Sequence, residues 1–520
     1  MKTIIKRALI SVSDKTNLEV IAKTLIKRNI EIIASGGTKV FLESHNIKCT
    51  PVESISGNPE AFNGRLKTLS FNIASSLLFR RESISDKDEA EKLNITPIDL
   101  LICNLYPFQE VAKNNADLED LIENIDIGGH TLIRAAAKNY KHVLTISSPE
   151  QYASVINELE INSGYFTKDF SAKYALQAFN HIAHYDNAIS RQLDKELGNK
   201  NVPHLPMPVL IPKELRYGEN PHQRAWIYST DVSDSLSNTT PLQGKPLSYN
   251  NLLDSDAALQ CSRDLYQDSN QSVVIIKHTN PCGTATGVDQ LETLKSAWAG
   301  DPISSFGSII CFSSPLEENA ALWLSEFFIE VIIAPSFSSE ALKIFSNKKN
   351  LRVLKIDCKK YNNSFETKSI NGGVLVQSTD NINDSDFKYM TTTTQNKVDL
   401  SLIKFGTTLT KHLKSNAISL VRKTKNGYQL IGAGMGNPNR LISTQQAISK
   451  ARENKVEDFS ELILISDAFF PFEDNVEIAH NAGIKTIVQP GGSLNDEKII
   501  SVCNKRNISM IFTGKRHFKH

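Results

Sequence analysis

One stretch of this sequence sets two chemically useful side chains together at the end of an apolar run. Val273-Val274-Ile275-Ile276 reads as a buried strand, and Lys277-His278 follow it directly, before Thr279-Asn280-Pro281-Cys282-Gly283 turn the chain. A histidine at a strand end is by itself more often structural than reactive. A neighbouring ammonium, however, favours the neutral imidazole that a general base requires, and a well-placed base or acid contributes roughly 100- to 10,000-fold in rate. Three later stretches carry groups able to serve with that pair. Lys414-Ser415-Asn416-Ala417 offers an amide at the start of a strand, the run Ser466–Asp474 ends a strand in clustered aromatics and acids, and the tail reads Arg516-His517-Phe518-Lys519-His520. Phe469 and Phe470 fit a core, whereas Phe472, beyond Pro471 and beside two acids, is placed to stack a flat heterocycle. Leu215–Gln223 and Lys245–Asn251 read as polar loops.

A second group of residues lies nearer the start of the chain. Ser11-Val12-Ser13-Asp14-Lys15-Thr16, Ser35-Gly36-Gly37-Thr38 and Asp126-Ile127-Gly128-Gly129 each place a cap or glycines where a strand gives way to a helix. Backbone N–H groups point outward at such places and can hold phosphate. Any one of the three is adequately explained as a helix cap or tight turn; three on one side of a single sheet point to an anionic ligand. Gly64-Arg65-Leu66-Lys67-Thr68 and Asn104-Leu105-Tyr106-Pro107-Phe108 add cationic and phenolic donors, and Arg134 and Lys138 share a helix face at i, i+4.

The elements that must position these groups are legible in outline. Short apolar runs at Ala8–Val12, Ile30–Ala34, Leu100–Leu105 and Val143–Ile146 alternate with helical patterns, among them Thr16–Lys27 and a long one over Phe170–Leu197. That alternation predicts a parallel sheet covered on both faces. Pro203, Pro206, Pro208 and Pro212 then break any regular element and mark a linker near 200–212. Alternation resumes with strand-like runs near 273–276, 308–311, 331–334 and 351–356. The stretch 361–384 is mostly polar and poorly periodic apart from the short run Val374-Leu375-Val376, and further runs follow at 418–421, 462–465, 486–488 and 508–512. A second boundary falls near 385–400, so the expected domains are 1–200, 201–390 and 391–520.

Composition narrows the class. The 520 residues are 40% hydrophobic and 22% charged with a net charge of +1, and no apolar stretch approaches the ~18 residues that span a bilayer. No run of like charge suggests a nucleic-acid surface. The seven cysteines are scattered, without a CxxC pair, which fits reduced thiols in a cytoplasmic protein and argues against a zinc site.

Taken together and in order, Ser-Val-Ser-Asp-Lys-Thr, Ala-Ser-Gly-Gly-Thr, Gly-Arg-Leu-Lys-Thr-Leu, Cys-Asn-Leu-Tyr-Pro-Phe and Ile-Asp-Ile-Gly-Gly…Arg-Ala-Ala-Ala-Lys-Asn resemble the inosine monophosphate (IMP) cyclohydrolase domain of the bifunctional purine-biosynthesis family. The run from Arg216 to His520 resembles that family's aminoimidazole carboxamide ribonucleotide (AICAR) transformylase portion. The resemblance implies an α/β chain: a methylglyoxal-synthase-like parallel-sheet domain, then two cytidine-deaminase-like α/β subdomains lacking zinc. It implies transfer of a formyl group from 10-formyltetrahydrofolate to AICAR, then closure of the product (FAICAR) to IMP with loss of water. It also implies a homodimer with active sites across its interface, no metal, and neither membrane nor nucleic acid as partner.

Carried over motif by motif, Ser11, Ser13, Lys15, Ser35, Gly37, Thr38, Arg65, Asn104 and Gly128 would hold the substrate of ring closure. Lys67, Thr68, Tyr106, Asp126 and Lys138 would surround its reacting groups. For formyl transfer, Lys277, His278 and Asn416 would be catalytic. Arg216, Tyr217, Asn251, Ser305, Phe306, Gly307, Arg440 and Arg516 would bind the ribonucleotide, and Glu330, Phe472 and Asp474 the folate. The sequence departs from the family's pattern over the loop Ser70–Ser76, at His130, and at Asn437, where a glutamine is usual. Three rival readings follow: a transformylase whose cyclohydrolase is impaired by the altered 70–76 loop, a nucleotide-binding protein without turnover, and a zinc deaminase. The Lys-His pair with Asn416 speaks against the second, and the missing CxxC against the third.

Overall fold

The computed structural model describes every residue except 1, 58, 60, 63–66, 115, 198–211, 230–234, 267–269, 361–364, 383 and 393–397. The chain divides into two compact units, Met1–Leu210 and Ile211–His520.

In the first unit the short apolar runs become β1 (Arg7–Ser11), β2 (Glu31–Ala34), β3 (Thr50–Pro51), β4 (Leu100–Cys103) and β5 (Leu144–Ile146). They form one parallel sheet in the order β3-β2-β1-β4-β5. Because strand side chains alternate, Ala8, Ile10, Ile32 and Ile102 enter one core while Leu9, Ile33, Leu101 and Cys103 enter the other. Helix α1 (Leu18–Lys27) covers the first face with Leu18, Ile21, Ala22 and Leu25. Helix α4 (Gly128–Lys138) covers the second with Leu132, Ile133, Ala136 and Ala137, joined there by the long α5 (Lys168–Leu197). Helix α2 (Gly36–Ser44) follows β2. The chain winds outward from β1 through β2 to β3, then returns to β4 on the other side of β1. The loops after β1 and β4 therefore part and leave a crevice at the strands' carboxyl ends. The altered segment after Ser70 is not a loop here but a helix, α3 (Phe71–Leu78), because the Ser70 hydroxyl accepts the Ile73 N–H at 3.2 Å and caps it.

The second unit contains the same arrangement twice. The first half runs α6 (Tyr249–Asp264), β6 (Gln271–Lys277), β7 (Asn280–Gly287), α7 (Gln290–Trp298), β8 (Ile309–Phe312), α8 (Glu318–Leu324), β9 (Val331–Ala334), α9 (Ser339–Phe345) and β10 (Arg352–Lys355). The second half repeats that succession as α10 (Leu400–Thr410), β11 (Ile418–Lys423), β12 (Gly427–Gly434), α11 (Arg440–Glu453), β13 (Ile463–Ser466), α12 (Asp474–Ala482), β14 (Thr486–Gln489), α13 (Asp496–Lys505) and β15 (Ser509–Phe512). In each half an antiparallel hairpin leads into three strands, the last two pairs being parallel. The halves join edge to edge, giving β10-β9-β8-β6-β7-β12-β11-β13-β14-β15 with Lys388–Tyr389 added at the end. One sheet face carries a core shared by α6 and α10; on the other, each half keeps its own three helices.

The polar stretch expected to be irregular contains an exposed hairpin, Phe365–Ile370 with Gly373–Ser378. Its cue was the dipeptide Asn371-Gly372, where Gly372 takes φ +77°, rather than any hydrophobic alternation.

The join rests on three residue pairs, Ala285 with Gln429, Thr286 with Tyr428 and Gly287 with Gly427. A Cβ on Gly427 would run into the Thr286 carbonyl, a backbone atom that cannot step aside. Gly427→Ala should therefore destabilise the second unit by about 1–3 kcal/mol, read as a lower unfolding temperature in calorimetry.

Candidate active sites

At the carboxyl edge of the first sheet, single side chains tie the loops together. Asn104 follows β4; its Oδ1 accepts the N–H groups of Ser13 (2.6 Å) and Asp14 (3.0 Å), and its Nδ2 donates to the Asp14 carbonyl (2.8 Å). Thr38 Oγ1 accepts the Val12 N–H (3.0 Å) and donates to the Val12 carbonyl (3.2 Å), and Ser35 Oγ donates to Ser11 Oγ (2.9 Å). Lys15 reaches back to the Ser13 carbonyl at 3.2 Å. Ser35 makes no capping bond to α2, and a Cβ on Gly37 would meet open space. The first N–H groups of α2 thus face a place an anion can occupy.

Across this crevice Thr68 and Asp126 converge on Gly128 and Gly129. A Cβ on Gly128 would come within 2.7 Å of Thr68 Oγ1, and one on Gly129 within 2.7 Å of Asp126 Oδ2. Asp126 Oδ1 accepts the Gly129 N–H at 2.7 Å. Burial lifts the Asp126 carboxyl above the usual carboxylate range, against the lowering effect of the Gly129 and Tyr106 N–H groups. Lys67 is half-buried beside Thr68, and Tyr106 is exposed. One partner was not foreseen: Tyr185 of α5, whose hydroxyl accepts the Asp126 N–H (2.8 Å) and donates to the Asn124 carbonyl (3.1 Å). His130 turns to the same helix, 3.0 Å from Asp186. Lys138 is not brought to this group. It stands exposed at the far end of α4, ten residues or about 15 Å along the axis from Gly128. Arg65 lies outside the described residues.

In the second unit, strand direction brings the other candidates to one sheet edge. β6 ends where β8 begins (Ile276 opposite Ile309), and β11 begins where β13 ends (Ile418 opposite Ser466). Lys277, Ser305–Gly307 and Glu330 therefore share an edge with Asn416, Phe472, Asp474 and Arg516. The ammonium of Lys277 donates to the carbonyls of Phe306 and Gly307, each at 2.9 Å. Gly307 takes φ +65°, and Phe306, 60% exposed, stacks on Phe328 at 5.3 Å. Ser305 is fully buried with its hydroxyl on the Asp301 carbonyl, and Glu330 pairs with Arg352 at 2.7 Å. His278 and Thr279 form the whole connection between β6 and β7, at φ +50° and +62°. The left-handed region costs residues with a Cβ about 1–2 kcal/mol each.

Asn280, at the start of β7, bridges the two halves: its Oδ1 accepts the Lys414 N–H at 3.1 Å. Asn416, two residues on, is held from every side. Its Oδ1 accepts from Arg440 (2.7 Å), its Nδ2 donates to the Asn437 carbonyl (2.9 Å), and its own carbonyl accepts from Ser443 (2.8 Å). Arg440 is buried behind it and also binds Asp467 (2.9 Å) and the Phe469 carbonyl (3.1 Å). Asn437, the shorter amide, still donates to the Met435 carbonyl, Ser443 and Gln446. Phe470 is fully buried, whereas Phe472 is 59% exposed, as their places around Pro471 predicted. The Asp474 carboxylate accepts from Asn475. Asn251 and Ser248 form a reciprocal cap on α6, and Asn250 Nδ2 ties that helix to the Glu219 carbonyl beside exposed Arg216 and half-buried Tyr217. Asp254, Asn280, Ser443 and Asp467 had no signal in the sequence, since each acts on a residue distant along the chain.

The tail is fastened by charge. Its residues 519 and 520 bond to Ser415 and Lys414. His517 lies 2.6 Å from Asp380 and 3.4 Å from Asp384. Burial disfavours its cationic form, but the two carboxylates outweigh that and push its pKa up to about 9.

Two outcomes are expected. Asp467→Ala strands the buried Arg440 guanidinium and should cost about 3–5 kcal/mol, measured as a fall in unfolding temperature. The His517 contribution is present in full below the ordinary histidine pKa of roughly 6.5 and lost as pH rises through about 9. His517→Gln should thus lower the unfolding temperature at neutral pH and leave it nearly unchanged at pH about 10.

Comparison with known proteins matches two family models to this chain. A model described as "AICARFT/IMPCHase bienzyme" matches residues 136–450, and one described as "MGS-like domain" matches residues 17–131. Full-length relatives named "Bifunctional purine biosynthesis protein PurH" include those of Lactobacillus acidophilus (41% identical, covering 99% of this chain and 100% of that one), Bacillus cereus (42%, 99% and 100%) and Prochlorococcus marinus (41%, 99% and 99%). With its methylglyoxal-synthase-like sheet and its duplicated second unit joined in one chain, the protein belongs to the AICARFT/IMPCHase bienzyme family.

Proposed function

We propose that this chain transfers a formyl group to the exocyclic amine of AICAR at the Lys277-His278 edge and closes the product to IMP in the crevice of the first unit. Formyl transfer makes a bond from the amine nitrogen to the formyl carbon and breaks that carbon's bond to a nitrogen of the donor, 10-formyltetrahydrofolate. The aromatic amine is a weak nucleophile, so His278 takes its proton as it attacks. Lys277 spends two of its three N–H bonds on carbonyls, and Asn416 one of its two, leaving each with a donor for the developing oxyanion. A proton then passes to the departing folate nitrogen. Exposed Phe472 is suited to stack the folate heterocycle, with Asp474 and Glu330 near its polar edge. Arg216, Tyr217, Ser305–Gly307 and Arg516 hold the ribonucleotide. Asn251 and Arg440 act through the elements they brace.

For ring closure the carboxamide nitrogen attacks the formyl carbon and water leaves. Asp126, whose raised carboxyl is better matched to proton transfer near neutrality, accepts the proton, with Lys67, Thr68 and Tyr106 as donors to the formyl oxygen. The loops Ser11–Lys15 and Ser35–Thr38, Asn104, Gly128 and Arg65 take the ribose phosphate and base. Lys138, exposed about 15 Å along α4 from Gly128, takes no part in this step within one protomer. Thr68 against Gly128 and full-length likeness to bifunctional relatives leave a transformylase-only reading without support.

The family's assembly is taken to be a homodimer, working without metal. All seven cysteines are free, and no described helix is long and apolar enough to cross a membrane, which suits a cytoplasmic enzyme.

The observation that carries this reading is the placement of Lys277-His278 and Asn416 on one edge, linked through Asn280 and Lys414. His278→Ala should lower formyl transfer by roughly 100-fold or more and spare cyclisation, and Lys67→Ala should do the reverse. Separate assays with AICAR plus formylfolate and with FAICAR decide it; loss of both activities from either change would contradict two separate sites.

A further inference from the structure

We propose that Asp254 is a positioning residue for formyl transfer, its carboxylate holding the strained turn that presents His278. This rests on the role given to His278 above. The turn is the shortest that joins antiparallel strands: Lys277 pairs with Asn280, and only His278 and Thr279 lie between. Turns of this kind need positive φ at both positions, which is why glycine and asparagine ordinarily fill them. Here a histidine and a β-branched threonine do so, at φ +50° and +62°, and a β-branched residue is among the least suited to that region.

The fold itself does not demand it. The equivalent hairpin of the second half, β11 to β12, uses three connecting residues, Thr424-Lys425-Asn426, none of them at positive φ. The tight, strained version belongs to the half that carries His278, so something local must hold it there.

The holder comes from outside the hairpin. Asp254, in the second turn of α6, accepts the Thr279 N–H on Oδ1 at 2.6 Å, and the His278 N–H favours the charge of the same carboxylate. The hairpin satisfies the carbonyl side by itself: Thr279 Oγ1 and Asn280 Nδ2 both donate to the His278 carbonyl, at 2.7 and 3.0 Å. Only the outward N–H groups depend on another element. Burial raises the Asp254 carboxyl, opposed by the Thr279 and His278 N–H groups and by the Lys277 ammonium. Its position is fixed in turn, because Asn251 lies one helical turn earlier and forms the reciprocal cap with Ser248. Cap, helix, carboxylate and turn thus form a short rigid chain ending at the imidazole.

Lys277 does not depend on that chain, being held in the ladder and by the Phe306 and Gly307 carbonyls. Losing Asp254 should therefore misplace the imidazole without disturbing substrate binding. A displacement near 1 Å can cost on the order of 100-fold in rate.

Steady-state formyl transfer by the full-length protein, with AICAR and 10-formyltetrahydrofolate, tests this, with cyclisation of FAICAR by the same preparations as the control for folding. Asp254→Ala should lower kcat at least about tenfold with both KM values within about threefold, while Asp254→Asn, which keeps one acceptor, loses less. Adding Thr279→Gly to Asp254→Ala should restore most of the loss, since glycine adopts positive φ without support. If the alanine variant does not fold, Asp254→Glu replaces it. That variant keeps the charge on a longer arm, and it should show the same fall in kcat and the same recovery. Unchanged kcat, a loss confined to KM, or no recovery with Thr279→Gly would overturn the proposal. His278→Ala run alongside separates the two levels: full transfer by that variant would sink the role of His278 itself.

Discussion

Three antiparallel residue pairs along the middle of a ten-strand run join the halves of the second unit, and their direction decides where chemistry can occur. β7 meets β12 antiparallel, and each is antiparallel to its own hairpin partner, so β6 and β11 also run in opposite senses. The end of β6 therefore lies on the same sheet edge as the start of β11. That is what brings a lysine-histidine pair at one strand's end and an asparagine before another's beginning to one sheet edge, although about 140 residues separate them. Had the halves joined through parallel strands, His278 and Asn416 would face opposite edges. Gly427, where a Cβ would strike the Thr286 carbonyl, shows how closely the two backbones approach along this seam.

The first unit solves a similar problem with parallel strands. Every strand ends on one side, so each βα loop delivers its polar residues to the same edge, and the reversal of winding at β1 opens the crevice. The loops are then sewn to each other: Asn104 binds the loop after β1, Thr38 binds the residue following β1, and Tyr185 holds the backbone of Asp126. Residues that a motif would assign to substrate are thus already spending part of their hydrogen-bonding capacity on keeping the rim in shape.

Legibility in the sequence followed the same physics. Parallel strands buried on both faces must be continuous apolar runs, so Leu100–Cys103 and Val331–Ala334 were readable, whereas the proline-marked boundary near 200–212 lies, all but Pro212, outside the described residues. The hairpin at Phe365–Ser378 was missed because it is exposed along its length and so carries no hydrophobic period. The helix after Ser70 was missed for a different reason: a family pattern made the segment look like an altered loop, when a serine cap on Phe71-Asn72-Ile73 was a sufficient local cue. Residues in contact with substrate tend to sit in recognisable motifs. Those that hold them, such as Asp254, Asn280, Asp467 and Tyr185, are set by folding across 25 to 134 residues of chain, a separation that no local pattern reports.

The two parts of the proposed transfer site are held in opposite ways, and that difference suits the role proposed for each. Asn416 is enclosed by Arg440, Asn437 and Ser443, with Asp467 neutralising the buried guanidinium, so its remaining N–H is aimed before substrate arrives. A donor meant for an oxyanion gains from such fixity, because no reorganisation is needed as charge develops. His278 instead sits on a two-residue turn in an unfavourable backbone conformation, supported through N–H groups rather than through its ring. Holding the turn through its backbone N–H groups fixes where the exposed imidazole stands, and among the described residues no hydrogen bond to its ring competes with a substrate for the two nitrogens.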